Sequence, residues 1–351
     1  MTHRIALIPG DGVGPEVVAE ARRAVDATGT EVAWSELDWG SGRLDREREM
    51  MPAEWEEILG GCDAILLGAV GDPALPDDLT LWGLLLPIRQ RLDLWANVRP
   101  VRLLDGVPGP LDGRGGDEID FVVVRENTEG EYSGVGGRAH RGLPEEVAIE
   151  SSVFSRQGID RVLRHAFEIA RDRRGVVTSA TKSNASRHGF VLWDEVAEEV
   201  AAEFPEVRLE RVLADALAAR MIADPGSLDV VVASNLLGDL LTDLGAAIAG
   251  GMGMAASANV APGGDSPGIF EPVHGSAPRL AGRGVANPCG AIWSSVLMLE
   301  ALGESTAAFH LMSALETVCK EGPRTPDIGG TATTSQVGDA IVEELSARRD
   351  Y

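Results

Sequence analysis

Lysine is almost absent from this chain. Of 31 Lys and Arg residues only Lys182 and Lys320 are lysines, so arginine carries nearly all the positive charge, and a lysine that persists against that bias merits a role. Cysteine is scarce as well. Cys62, Cys289 and Cys319 are odd in number, widely spaced and form no C-x-x-C, which excludes a disulfide framework and a zinc ribbon and suits a reduced compartment. Basic charge as a whole falls short: 31 Lys and Arg stand against 55 Asp and Glu, a net charge of -24, and no basic tract is left to follow a phosphate backbone. Nucleic acid is thereby excluded as a partner. No apolar run reaches the roughly 20 residues that span a bilayer. The opening MTHRIALIPGDG reads as strand and turn, not as a secretory leader, so a cytoplasmic protein with no membrane partner is expected.

What the chain has is length and alternation. Its 351 residues, 44% of them hydrophobic, exceed one ordinary core, and two lobes are expected. Apolar runs at 4–9, 31–37, 64–67 and 230–233 read as strands, and helical spacing appears over 17–27, 52–59 and 157–171. This alternation predicts an α/β protein with a largely parallel sheet. Residues 147–153 alternate as a β-arm, and amphipathic helices are expected over 291–302, 307–320 and 336–348. No linker or repeat divides the chain, so the lobes must interleave. Gly10, Gly12 and Gly14 form G-x-G-x-G, one residue short of a dinucleotide fingerprint and equally well a tight strand-to-helix turn.

Chemistry concentrates around Ser234–Ala249, SNLLGDLLTDLGAAIA, which takes up helical spacing directly after a buried strand. Asp239 and Asp243 lie four apart and emerge from one face, one turn apart. A solvated acidic face is the plain reading of such a pair. Both acids interrupt a leucine-rich segment, however, where unpaired charge is costly, and oxygen ligands suit Mg2+ or Mn2+; we take them as half of a metal site. Arg89, Arg99 and Arg125 sit at the boundaries of apolar segments. Singly each reads as surface snorkelling; together they read as a clamp for carboxylates, since guanidinium is a permanent bidentate donor. Tyr132 lies in a glycine-bearing loop beside them, a candidate general acid. Lys182 stands just past a strand end. Asp215 begins a helix, where a cap is the ordinary explanation. His274–Pro278 reads as a turn opening a helix, a geometry that offers backbone N–H groups to a phosphate.

PGDGVGPE, NVRP, VVVRENTEGEY, ATKSN, SNLLGDLLTDL and EPVHGSAP stand in the order found in the β-decarboxylating dehydrogenases, and the chain resembles this isocitrate/isopropylmalate dehydrogenase family over essentially its whole length. LWGLLLPIR, RENTEGEYSGVGGR, SATKSN and GPRTPDIGGTATT are most similar to its tartrate and D-malate branch. The resemblance implies an α/β fold with a large twisted mixed sheet flanked by helices. Residues 1–97 and 253–351 would form a large nucleotide-binding lobe, and 98–252 a smaller α/β lobe with a dimer-forming β-arm and the metal helix. It also implies a homodimer with shared active sites, in which Lys182 and Asp215 of one subunit join Tyr132, Asp239 and Asp243 of the other and Asp215 becomes the third metal ligand. The implied reaction is oxidative decarboxylation of a 2-hydroxy acid bearing a 3-carboxylate. Arg89, Arg99 and Arg125 would hold its carboxylates, Mg2+ or Mn2+ its hydroxyl, Lys182 would take the hydroxyl proton, and Tyr132 would reprotonate the carbon after hydride passes to a nicotinamide. His274, Gly275, Ser276, Ala277, Pro278, Arg279 and Asn287 fall in the block that holds the cofactor.

Departures from the family pattern bear on substrate and nucleotide. Trp82 stands where isopropylmalate dehydrogenases carry Glu, which points to a D-malate- or tartrate-like substrate; 3-isopropylmalate or another 3-substituted malate is the alternative. LADALAARM around Asp215 departs from the wording of the tartrate branch. Arg187 and His188, in ASRHGF, are either surface residues or readers of an extra anionic group. NAD is expected, because Asp224 stands where NADP-type relatives carry a base and the DIGGTA loop lacks their aromatic and basic pair. Arg279 replaces the Asp of NAD-type relatives and leaves NADP open. A catalytically silent regulatory subunit is disfavoured by the retained Tyr132, Lys182, Asp215, Asp239 and Asp243.

Overall fold

The computed structural model of the protein describes residues 2–349. Its strands are β1 (His3–Gly10), β2 (Val32–Glu36), β3 (Ala64–Ala69), β4 (Ala96–Arg102), β5 (Asp120–Glu126), β6 (Gly130–Ala139), β7 (Val147–Val153), β8 (Val176–Thr181), β9 (Arg208–Leu213), β10 (Val230–Ala233), β11 (Ala256–Val260) and β12 (Gly268–Pro272). In β10 all four side chains are fully buried, with Val230 and Val232 entering one core and Val231 and Ala233 another. The period of two thus places alternate residues under helices on both faces, which is why the run is continuously apolar. β1 does the same, sending Ile5 and Leu7 to one face and Ala6 and Ile8 to the other.

Ten strands form one sheet in the order β2-β1-β3-β12-β11-β4-β5-β10-β8-β9, while β6 and β7 pair separately as an antiparallel arm. The sheet is mixed. Its two outer runs are parallel, but β11 is antiparallel to β12 and β4, and β4 is antiparallel to β5. The largely parallel sheet expected from alternation therefore holds only toward the edges. β11 and β12 follow each other without a helix, and an antiparallel pair needs no crossover. The first three strands and β12 share one half of the sheet, β5, β8, β9 and β10 the other, so the two ends of the chain meet in the same half.

The expected helices at 17–27, 157–171, 291–302, 307–320 and 336–348 are found as Gly14–Thr28, Arg156–Arg171, Cys289–Ala301, Ser305–Glu321 and Thr334–Arg349. The one expected at 52–59 is the single short helix Trp55–Gly60. The helix expected after His274–Pro278 is absent: the next begins at Cys289, and Ala277, Gly282 and Gly284, all at positive φ, hold the intervening chain in turns. Cys289 and Cys319, remote in sequence, are buried neighbours; their mutual hydrogen bond and burial hold the Cys289 thiol protonated, and all three cysteines are free. Among the described residues no helix is long and apolar enough to cross a membrane.

Candidate active site

Helix Asn235–Ile248 leaves the end of β10 with Ser234 at its N-cap, but the Ser234 side chain does not cap it. Ser234 Oγ donates instead to Glu131 Oε1 at 2.9 Å, and the Leu236 N–H donates to Glu131 Oε2 at 3.0 Å. A carboxylate is favoured here by the unpaired first-turn N–H groups and by the positive end of the helix dipole. Asn235 Nδ2 adds a bond to Glu129 O at 2.9 Å. The strand that carries Tyr132 is thereby tied to the helix that carries Asp239 and Asp243. Sequence reasoning missed Glu131, because nothing local separates it from Glu126 and Glu129 beside it.

Arg89, Arg99, Arg125, Tyr132 and Asp239 converge on one cavity of about 230 Å3. Arg89 comes from helix Leu86–Arg91, Arg99 from β4, Arg125 from the end of β5 and Tyr132 from the start of β6. Leu81, Leu85 and Leu86 form an apolar wall on a segment whose residues 81–85 make one π-helical turn, a widening frequent at functional sites. Trp82 is not in that wall. Its ring lies over the Cα of Gly134, where a Cβ would come within 2.6 Å of it.

The arginines are held by neutral and acidic partners below the cavity. Arg125, 2% exposed, donates Nε and Nη2 to Asn235 Oδ1 at 3.0 and 2.7 Å and Nη1 to Asp239. Arg99 donates Nε to Asn97 Oδ1 at 2.7 Å and Nη1 to Thr242 Oγ1 at 2.5 Å, with Asp239 3.7 Å away. Arg89 Nη2 donates to Glu271 Oε1 at 2.7 Å, and its buried Nε has no partner. Burial, reinforced by the Arg125 charge, pushes the Arg99 guanidinium down to about 9. Burial also raises both helix acids, with opposite outcomes. Arg125 and Arg99 overcome it at Asp239 and hold that carboxyl below its usual range, whereas Asp243, facing Asp239, stays pushed up. Burial and then Asp239 raise Tyr132, whose hydroxyl donates to Asp239 Oδ2 at 3.3 Å, so the phenol keeps its proton at neutral pH.

Lys182 and Asp215 lie elsewhere. Lys182 Nζ donates to Asp215 Oδ1 at 2.5 Å at the exposed start of helix Ala214–Ala223. Within the chain Asp215 is not brought to Asp239 and Asp243, and among the described residues no group of three His, Cys, Asp or Glu could hold a metal ion. Lys182 lines a second cavity, of about 640 Å3, together with Glu131, Arg187 and His188.

A third cavity, of about 420 Å3 and mostly apolar, is walled by Val13, the glycines of 250–253, Ala277, Leu280, Asn287 and Asp327. His274 lines both this cavity and the arginine cavity, and its buried Nε2 has no partner. Asn287 Nδ2 donates to Asp327 Oδ2 at 3.0 Å. Gly275 borders the arginine cavity. Ser276 is buried, and its carbonyl accepts from Val13 N–H at 2.9 Å. That carbonyl lies where a Cβ on Gly12 would stand, so Gly12 serves the close packing of two loops. Pro278 and Arg279 are exposed and stand outside this wall, as does Asp224 at the end of helix Ala214–Ala223. With no helix at His274–Pro278, no helix N-terminus is available there for a phosphate.

A mixed sheet flanked by helices, with three buried arginines, a tyrosine and an aspartate around one small cavity, is the architecture of an α/β enzyme. The chain belongs to the isocitrate/isopropylmalate dehydrogenase family, whose model matches residues 4–341. It is thus an oxidoreductase of a dehydrogenase family. It is similar to a probable tartrate dehydrogenase/decarboxylase of Agrobacterium vitis, with 49% identity over 98% of both chains. It is also similar to the D-malate dehydrogenase [decarboxylating] of Escherichia coli (strain K12), with 48% identity over 97% of this chain and 98% of that one. Among solved structures, isocitrate dehydrogenase from Methylococcus capsulatus matches with a TM-score of 0.90 and 34% identity, covering 98% of this chain and 99% of that one.

Proposed function

We propose that the protein catalyses oxidative decarboxylation of a D-malate- or tartrate-like 2-hydroxy acid bearing a 3-carboxylate, with hydride passing from C2 to NAD. The observation that carries this reading is the convergence of Arg89, Arg99 and Arg125 on the cavity of Tyr132 and Asp239. Three guanidinium groups around about 230 Å3 exceed what a monoanion needs: burial lowers Arg99 and Arg125, Arg125 adds to it at Arg99 and Arg89 adds to it at Arg125, a repulsion that a bound dianion relieves. The names of the relatives support the substrate class.

Asp239 and Asp243 fit a hard divalent cation. They offer oxygen donors one turn apart on one helix face, where burial and then the Asp239 charge raise the Asp243 carboxyl, a cost that a bound cation would remove. Mg2+ or Mn2+ would be held there by Asp239 and Asp243, with Asp215 of the partner subunit as third ligand, and would supply Lewis acidity toward the substrate's hydroxyl. His274 Nε2, orphaned where the two cavities meet, and the apolar walls beyond it suit a nicotinamide dinucleotide, with Ala277 and Asn287 beside it. NAD is preferred and NADP is the alternative, since Arg279 is an exposed base adjoining Leu280 of the cavity wall.

The roles of the chain's own residues follow. The arginines hold both carboxylates and orient C2 toward the cofactor cavity. Lys182, brought from the partner in a homodimer with shared sites, takes the hydroxyl proton. Tyr132 holds its proton at neutral pH and delivers it to C3 once the 3-carboxylate has left as CO2. The lobes, 1–97 with 253–351 and 98–252, meet where β11 pairs with β4. The apolar wall of Leu81, Leu85 and Leu86 favours a second reading in which C3 carries an alkyl group, as in 3-isopropylmalate. Reduction of NAD and NADP with Mn2+ present, across D-malate, the tartrates, 3-isopropylmalate, isocitrate and homoisocitrate, tests the proposal. Turnover of D-malate or tartrate that a chelator abolishes is expected. Silence on all of these substrates, or indifference to the chelator, would overturn it.

A further inference from the structure

We propose that Asn259, paired with Asn97 across the sheet, is a positioning residue that fixes Arg89 and Arg99 relative to each other; this rests on the reading of those arginines as the carboxylate clamp. β11 and β4 run side by side at the middle of the ten-stranded sheet, and Asn259 and Asn97 are directly paired in their register. Both are 0% exposed. Two fully buried primary amides on facing positions are costly to desolvate, and apolar residues would pack there at less expense.

The hydrogen bonds give the pair a direction. Glu271 Oε1 accepts from Arg89 Nη2 at 2.7 Å and from Asn259 Nδ2 at 2.9 Å. An ionised carboxylate only accepts, so the Asn259 amide has one orientation, with Nδ2 toward Glu271 and Ile269 O (3.1 Å) and Oδ1 toward β4. Asn97 Nδ2 donates to that Oδ1 at 2.9 Å, which leaves Asn97 Oδ1 to accept from Arg99 Nε at 2.7 Å. The polarity set by the Glu271 carboxylate is passed through two amides to the second arginine. Arg89 belongs to a helix packed on one half of the sheet and Arg99 to the strand next to the other half, and the chain of bonds through Glu271, Asn259 and Asn97 joins their side chains across the seam. The two anionic ends of a small dicarboxylic acid have a fixed separation, and a shift of the arginines by an ångström forfeits one end.

The test uses the full-length protein. Asn97→Ser and Asn259→Asp are compared with the parent for steady-state KM and kcat on D-malate, for KM of NAD, and for binding of malonate by titration calorimetry. Asn259→Asp sets a carboxylate against Glu271. Each single variant is expected to raise the D-malate KM and the malonate Kd about tenfold, with kcat within threefold and the NAD KM unchanged. If Asn259→Asp does not fold, Asn97→Ser decides alone. Parental affinity in the single variants, or an equal rise in the NAD KM, overturns the positioning role. A parent protein that neither turns over D-malate nor binds malonate overturns the clamp itself, and the malonate titration separates the two failures.

Discussion

Gly238 and Arg125 meet where one of them has no side chain: a Cβ on Gly238 would lie 2.7 Å from both the Cβ and the Cγ of Arg125. Gly238 sits one residue before Asp239 on helix Asn235–Ile248, so the bare backbone lets the stem of Arg125 lie against the helix and reach Asn235 and Asp239 together. Helix propensity alone favours Ala at such a site by about 1 kcal/mol. Here overpacking opposes it: Gly238→Ala is expected to cost about 1–3 kcal/mol of stability, read by urea denaturation, and to raise the substrate KM. A variant more stable than the parent would show that Arg125 has room to move.

Asp239 is the carboxylate that faces both Arg125 and Arg99. Asp239→Asn leaves two buried guanidinium groups without an anion. Since the Asp239 side chain is 36% exposed, solvent screens part of the loss, and a destabilisation of about 1–2 kcal/mol is expected. Malonate should raise the Tm of this variant more than that of the parent, because it would supply the missing charge. Equal shifts would refute the pairing.

The Tyr132 hydroxyl makes one hydrogen bond, to Asp239 at 3.3 Å. Tyr132→Phe is therefore expected to leave stability nearly unchanged while lowering overall turnover about 10²–10⁴-fold, the usual range for loss of a proton donor. Thermal unfolding and steady-state kinetics on the same preparation separate the two effects. Near-parental turnover would remove Tyr132 from the proton path.

Lys182 and Asp215 stand apart from the arginine cavity within one chain, so a shared site has a direct genetic test. Tyr132→Phe and Lys182→Met are each expected to be nearly inactive alone. Co-expression makes hybrid dimers in which one of the two sites carries both lesions and the other carries neither. Random pairing should restore about a quarter of parental activity. No restoration would place Lys182 in the site of its own chain or outside catalysis.

Glu126 is 2% exposed at the end of β5, where its carboxylate accepts from the Thr128 and Glu129 N–H groups at 2.8 and 3.0 Å. Burial outweighs those bonds and pushes it up to about 7 from an ordinary value of 4.5. The folded state thus binds the proton more tightly than the unfolded one. The contribution to stability is fully present below about pH 4.5 and is lost as pH rises through about 7, by roughly 3 kcal/mol in total. Urea midpoints from about pH 5 to 8 should fall in the parent and stay flatter in Glu126→Gln. Matching slopes would show that Glu126 is ionised throughout.

Arg89, Arg99 and Arg125 were legible in sequence because each stands at the boundary of an apolar segment, and Asp239 and Asp243 because 3.6 residues per turn puts them on one face. Lys182 and Asp215 were legible as junction residues, but their distance from the cavity was not. The helix read after His274–Pro278 failed for a local reason: Ala277 adopts a positive φ, a conformation its residue type does not announce. Glu131, Glu271, Asn97 and Asn259 went unseen for a different one. Asn97 and Asn259 are 162 residues apart, and Arg89 and Glu271 are 182 apart. Each of these polar residues finds its partner through strand order and register.

The α/β alternation, the helix bearing two acids and the arginine-rich character of the site follow from the order of residues, since each depends on periodicity and residue chemistry along a short stretch. The tertiary structure alone decided that the sheet is antiparallel at its centre, that the glycine loop packs on Ser276, and that buried amides and carboxylates hold the arginines from below. Those outcomes depend on which distant strands become neighbours, and hydrogen-bonding groups declare their partners only once the register is set.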